Sequence, residues 1–204
     1  MFTRTAYKIT EAMAVHGVIS AERKTVCSWG MCHILDSLFN LAIFSVIGIL
    51  CHMLPETAVF TVSYICLRVY AGGFHASTPV RCSVISDIVL IAALRDIRFA
   101  EQHTTAFVVC SAAAVTVILI LMPVADIRKP LDGRDRRRYR RKGAVILSAE
   151  VIASVTLYAV GSGIYAAVAA AWQMLAAVLI VGCIKNCMKG GERRNDRKAL
   201  EDRR

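Results

Sequence analysis

His75 and Cys82 are the two side chains whose types and spacing could do covalent chemistry together, a thiolate attacking a carbonyl while an imidazole manages the proton. They stand in the stretch Arg68-Val69-Tyr70-Ala71-Gly72-Gly73-Phe74-His75-Ala76-Ser77-Thr78-Pro79-Val80-Arg81-Cys82, where polar and turn-forming residues interrupt an apolar pattern. On one continuous helix the pair would share a face yet lie roughly 10.5 Å apart along the axis, too far for a proton to pass. Gly72 and Gly73 allow backbone conformations closed to other residues, and Pro79 pushes Thr78 out of helical geometry. The segment can therefore fold back as a re-entrant turn and bring imidazole to thiol. Cys82 would then open a helix, where unpaired N–H groups, the helix dipole and neighbouring Arg81 all favour the thiolate. His75 serves as general base, and later as the acid that protonates a leaving amine. The third, orienting group stays open: Asp87, about one turn beyond Cys82, is one candidate, and an acid there serves packing or topology equally well. Taken alone, a His and a Cys seven residues apart in a cysteine-rich chain are a coincidence more often than a dyad.

The other reactive residues make weaker patterns. Of the eight cysteines, Cys51, Cys66, Cys110 and Cys183 lie inside apolar runs and no CxxC pair occurs, which points to small buried hydrophobes rather than a disulfide framework. Cys27, Cys32 and His33 offer three metal ligands, but at a spacing that fits no common zinc pattern and with no fourth ligand. No metal and no cofactor are expected. There is no HExxH motif, and Gly161-Ser162-Gly163 reads as a short turn more readily than as a serine nucleophile elbow. His16, His52 and His103 fall near the ends of predicted loops and read as interfacial or solvated.

The elements that would hold these residues are hydrophobic helices. The chain of 204 residues is 56% hydrophobic, with mean hydropathy +0.54, and its apolar residues come in long runs. A spanning helix needs about 20 mostly apolar residues. Six runs of that order are expected to cross, Ile34 to Leu54, Glu56 to Ala71, Cys82 to Leu94, Thr104 to Val124, Gly143 to Val160 and Gly163 to Ile184, the second and third short and interrupted by polar residues. The fold class expected is an all-α membrane bundle of about six spans.

Charge sets the expected orientation. Residues 126–142 hold nine Lys/Arg against three acids and residues 185–204 eight against four, which together account for the net +10. Basic blocks flanking apolar stretches read as cytoplasmic loops, so both termini are expected in the cytoplasm of a bacterial cell, and nucleic acid is not expected as a partner. The loop from Arg95 to His103 is neutral and tolerable outside. The basic block 126–142 could enforce orientation and touch anionic lipid, or bind acidic residues of a peptide, and the two uses are compatible. Residues 1–33 read as an amphipathic cytoplasmic segment with Ile9, Met13, Val18 and Ile19 among Arg4, Lys8, Glu11, Arg23 and Lys24, plausible on the inner leaflet. They lack the pattern of a cleaved signal peptide, and retention is expected. The expected divisions are thus 1–33, a transmembrane domain 34–184 with a catalytic segment 68–82 and a basic cytoplasmic loop 126–142, and a basic tail 185–204. The alanine-rich run from Ala166 to Ala171 suits close helix approach, for internal packing more often than for a homodimer seam.

The fifteen residues from Arg68 to Cys82 resemble the signature of the accessory gene regulator B (AgrB) family, membrane peptidases that mature quorum-sensing propeptides. The match covers the Arg, the second Gly, the His-Ala pair and the Cys in register. Trp29-Gly30 is similar to that family's aromatic-glycine motif ahead of the first span, and Met122-Pro123-Val124-Ala125 followed by Arg128-Lys129-Pro130-Leu131 to its Pro-x-x…Lys-Pro block. The resemblance implies that His75 and Cys82 are catalytic, that Arg68 and Gly73 support activity, and that Arg128 and Lys129 serve propeptide processing. It also implies a small amphipathic propeptide as substrate, cleaved through a Cys82 acyl-enzyme, and ring closure to a thiolactone. The segment around Cys27, Cys32 and His33 departs most from the family pattern.

Two other classes compete. Asp36, Asp87 and Glu150 fall in or beside apolar spans, where ionisable residues are costly, which motivates a non-enzymatic transporter or peptide exporter. A membrane scaffold whose basic loops recruit partners is the third.

Overall fold

The computed structural model describes residues 3–73, 78–124 and 132–201, with side chains described as far as residue 188. Among the described residues the chain is all-helical: α1 (Thr3–Val15), a 3-10 turn (Ala21–Arg23), α2 (Lys24–Leu50), α3 (Leu54–Ala71), α4 (Pro79–Gln102), α5 (Thr104–Leu121), α6 (Gly133–Ala159) and α7 (Tyr165–Glu201). Four helices are long and apolar enough to cross a membrane: α2, α5, α6 and the Tyr165–Met188 part of α7. Helices α3 and α4, of 18 and 24 residues, carry too much polarity to join them on that measure. Glu56 and Arg68 sit in α3, and Arg81, Asp87, Arg95, Asp96 and Arg98 in α4.

Several helices run past the boundaries expected from apolarity. Helix α6 starts at Gly133, so residues 133–142 of the expected basic loop are helical instead. Arg and Lys are good helix formers, the Asp132 side chain accepts from Gly133 N at 2.7 Å, and Asp135 sits in the first turn where the dipole favours an acid. Helix α7 likewise continues through the basic tail to Glu201. Helix α4 extends through Gln102, which reduces the expected loop from Arg95 to His103 to a junction at His103. At the front, residues 24–33 of the expected lead-in belong to α2, and only Thr3–Val15 forms a separate helix. Lys24 ties that helix to α2 through Glu11 at 3.1 Å and the Tyr7 hydroxyl at 3.2 Å.

Helix α7 is the centre of the bundle and packs against α3, α4, α5 and α6. Its run from Ala166 to Ala171 is buried throughout, so the small side chains serve contact within the chain. Around it Phe60 and Leu67 of α3, Leu90 of α4, Phe107 and Ile118 of α5, and Leu175 and Leu179 of α7 are fully buried. Helix α2 is peripheral. It buries only Gly48, whose missing side chain lets Thr57 of α3 approach, and it turns Leu38, Leu41, Ile49 and Leu50 outward. Such a surface is stable where the solvent is hydrocarbon. Polar side chains in the core bond back to their own helices: Thr57 to Met53 O at 2.7 Å, Thr61 to Thr57 O at 2.7 Å, Ser111 to Phe107 O at 2.8 Å.

Replacing Leu67 by Ala is expected to cost about 2–5 kcal/mol through lost contact and a residual cavity, whereas Val62→Ala on the exposed face of the same helix should cost far less. Thermal unfolding of the two variants in detergent micelles compares them directly, and equal shifts would contradict the packing described.

Candidate active site

Local sequence fixes where each end of the Arg68–Cys82 segment lies. Pro55 sits in the first turn of α3, where its missing N–H costs nothing, and the helix stops at Gly72, whose φ of 71° and ψ of −142° belong to a region essentially closed to other residues. Gly73 follows at φ 117°. Helix α4 begins with Thr78 in extended backbone, its hydroxyl accepting from Arg81 N at 3.3 Å, and with Pro79 in the first turn. Cys82 therefore stands one turn inside α4 rather than at its opening, and its own N–H donates to Thr78 O at 3.1 Å. The helix dipole still acts over that turn, while the first-turn N–H groups belong to the residues before Cys82, Arg81 N being capped by Thr78.

The Cys82 side chain is exposed, and polar groups gather beside it. Ser83 hydrogen-bonds Asn40 Oδ1 and so joins α4 to α2; Ser86 Oγ donates to Cys82 O at 2.9 Å. Tyr64 of α3, stacked on Phe60 at 5.6 Å, lies within electrostatic reach of both Arg68 and Cys82. A cavity of about 170 Å³ opens next to these residues, lined by Asn40, Phe44, Phe60, Tyr64, Ser86 and Val89. Tyr64 and Ser83 were not singled out from the sequence, and Asn40 read with Asp36 and Ser37 as interfacial, because nothing in one sequence says which faces of three separate helices will meet.

Arg68 is half-buried, and its guanidinium donates to Gly72 O. It thus closes the last turn of α3 over its own C-terminal carbonyls, where a cation is favoured. A Cβ on Gly73 would overlap that guanidinium, and one on Gly72 would overlap the carbonyl oxygen of Val124. The second contact is a backbone pairing: Gly73 N donates to Val124 O at 3.3 Å, Val124 N donates to Ala71 O at 2.9 Å, and Gly72 and Val124 form a parallel bridge. The Arg68–Cys82 stretch and the Met122–Val124 block, fifty residues apart in sequence, are therefore in direct contact. Gly143 of α6 extends the junction, with room only for hydrogen against Met122 and Tyr70.

The expected site residues divide as follows. Arg68 and Gly73 stand at the end of α3 and Cys82 one turn inside α4; Asp87 lies on the same unbroken helix as Cys82, about 140° further round, so α4 alone does not aim its carboxylate at the thiol. Its Oδ1 is buried with no hydrogen-bond partner among the described residues. His75, Arg128 and Lys129 lie outside the described residues. Cys27, Cys32 and His33 all belong to the first part of α2, and no group of three His, Cys, Asp or Glu suited to a metal occurs among the described residues. Glu150, one motive for a transporter, accepts a hydrogen bond from Trp172 Nε1 at 2.8 Å.

Gly72→Ala combines backbone strain of about 1–3 kcal/mol with loss of the Val124 pairing, whereas Gly161→Ala carries the strain alone because open space surrounds Gly161. The melting temperature should fall further for Gly72→Ala than for Gly161→Ala; equal losses would show that the junction contributes nothing.

The family model of accessory gene regulator B matches residues 5–183, from within α1 to within the apolar part of α7. Comparison with curated proteins and with solved structures returned no match.

Proposed function

The chain belongs to the accessory gene regulator B family, and from that premise we propose that it is a membrane-embedded cysteine endopeptidase acting on a small autoinducer propeptide. Membership is consistent with a role in processing autoinducing peptides, and the four apolar helices with an integral membrane protein. The observation that carries the catalytic reading is the exposed Cys82 thiol, one turn inside α4, the helix that follows the glycine end of α3 held by Arg68 and Val124.

In this reading α3 and α4 also cross the bilayer, giving six spans in the cytoplasmic membrane with both termini inside, and α1 rests on the inner leaflet. The Cys82 thiolate attacks a backbone carbonyl of the propeptide, forming a C–S bond. Collapse of the tetrahedral intermediate breaks the C–N bond, and the proton that His75 took from the thiol goes to the departing amine of the C-terminal fragment. A nucleophilic thiol of the bound N-terminal fragment then attacks the acyl-enzyme, gives its proton to His75, and leaves as a cyclic thiolactone with Cys82 restored. Arg68 and Gly73 keep the turn in shape, Arg128 and Lys129 attract acidic residues of the propeptide, and Asp87 supports the site from within α4. An amphipathic substrate lying on the leaflet is held at high effective concentration, and a partly dry pocket slows hydrolysis of the thioester relative to ring closure. A homodimer is compatible with this scheme and not required by it.

The second reading, a non-enzymatic exporter, rests on Glu150 and Trp172 beside an apolar cavity of about 410 Å³ lined in part by Phe107, Tyr158 and Tyr165. Purified protein in lipid vesicles with a candidate propeptide separates the two: cutting supports the peptidase, and flux of uncut peptide supports the exporter. Cys82→Ala and His75→Ala should each lower cleavage by roughly 10³-fold or more while the protein still inserts, whereas Cys66→Ala and Cys110→Ala should stay near wild type. A variant at either proposed catalytic position that cuts at the normal rate removes that residue from the mechanism.

A further inference from the structure

We propose that the first three turns of α6 form a binding site for the phosphate head of an anionic phospholipid from the inner leaflet. The site is a groove of about 880 Å³ on one face of the helix. Arg134, Arg137, Arg138 and Arg141 recur at three- and four-residue intervals and so line a single stripe, with Lys142 at its lower end. No Asp or Glu is among the described residues that line it. Arginine forks match phosphate oxygens two at a time, and four of them at helical spacing present donors along the whole groove.

Below Lys142 the lining changes character. Val145 and Ile146 form the base, and Val145 is 64% exposed on a helix apolar enough to span. Charge at the top and apolar surface at the bottom therefore follow one another along the helix axis. That is the order of head and acyl chain in a lipid standing along the bilayer normal. An amphipathic peptide lying on the leaflet runs across the normal and meets the stripe at one turn only, so the lipid is the better fit.

The wall opposite α6 is Tyr70, from the end of α3. Its ring is held by Tyr139 at 6.0 Å, by the Lys142 ammonium at 5.9 Å, and by Gly143 against its Cβ. Arg140 points elsewhere and donates to Leu119 O at 3.3 Å in the last turn of α5. The groove is thus walled by two elements, the exposed arginine face of α6 and the Tyr70 ring packed against Tyr139 and Lys142. It depends on α6 meeting the membrane and not on the peptidase assignment.

The full-length protein, purified in phosphatidylcholine nanodiscs doped with phosphatidylglycerol, tests this by native mass spectrometry of retained lipid. Wild type should keep phosphatidylglycerol in preference to phosphatidylcholine. Arg137→Gln with Arg141→Gln should lose about tenfold or more of that retention, and Val145→Trp, which fills the base without changing charge, should also lose it. Arg193→Gln with Arg194→Gln removes equal charge from the C-terminal tail and should have little effect. Equal loss in the tail variant, or full retention in Val145→Trp, would reduce the effect to diffuse attraction and overturn the site. Displacement by millimolar inorganic phosphate would assign the groove to the free ion, and displacement by an acidic amphipathic peptide at stoichiometric concentration would assign it to peptide; either overturns the proposal.

Discussion

The pairing of Gly72 and Gly73 with Val124 is the contact on which the arrangement around Cys82 depends. Helix α3 ends abruptly at Gly72, and a helix end leaves carbonyls that need partners. Two devices answer that need: the Arg68 guanidinium caps Gly72 O, and Val124 N takes Ala71 O. Both require hydrogen in place of a side chain at 72 and 73, because a Cβ would overlap Val124 at the first and Arg68 at the second. Gly72 and Gly73 are therefore also the positions where a second connection of the chain docks.

From that junction the rest of the site follows by packing. Met122 and Tyr70 press against Gly143, which fixes the start of the apolar half of α6 beside the end of α3. The arginine-rich turns of α6 then lie next to Tyr70 at the end of α3. On the other side, Ser83 and Asn40 join α4 to α2, and Tyr64 stands in range of both Arg68 and Cys82. A thiol at the rim of the bundle is accessible, and the polar groups around it are held by three different helices. Preorganisation of that kind is what the proposed covalent chemistry would need.

How much of this was legible in the sequence depended on the kind of signal. The presence of a span was readable where apolarity is long and continuous, as in α5 and the first half of α7, because about 20 apolar residues leave few alternatives. Boundaries were misread where helices continue into charge: the Arg-rich start of α6, the tail of α7 and the end of α4 have strong helical propensity that an apolar criterion cannot see. Thr78-Pro79 was legible as a break, and the helix does begin there, which puts Cys82 one turn deeper than expected. The Gly72–Val124 pairing joins residues far apart in sequence and left no local trace. Family resemblance drew attention to both blocks without saying that they touch.

The central claim is that Cys82 becomes covalently acylated by the substrate. Acid-quenching the purified protein after brief mixing with a synthetic propeptide, and weighing the intact chain and its digest, measures this directly. The account predicts an added mass equal to the N-terminal peptide fragment, located at Cys82 and released by neutral hydroxylamine, as a thioester must be. Cleaved peptide appearing with the adduct on another residue, or with none trapped while fragments accumulate in a burst, would contradict it.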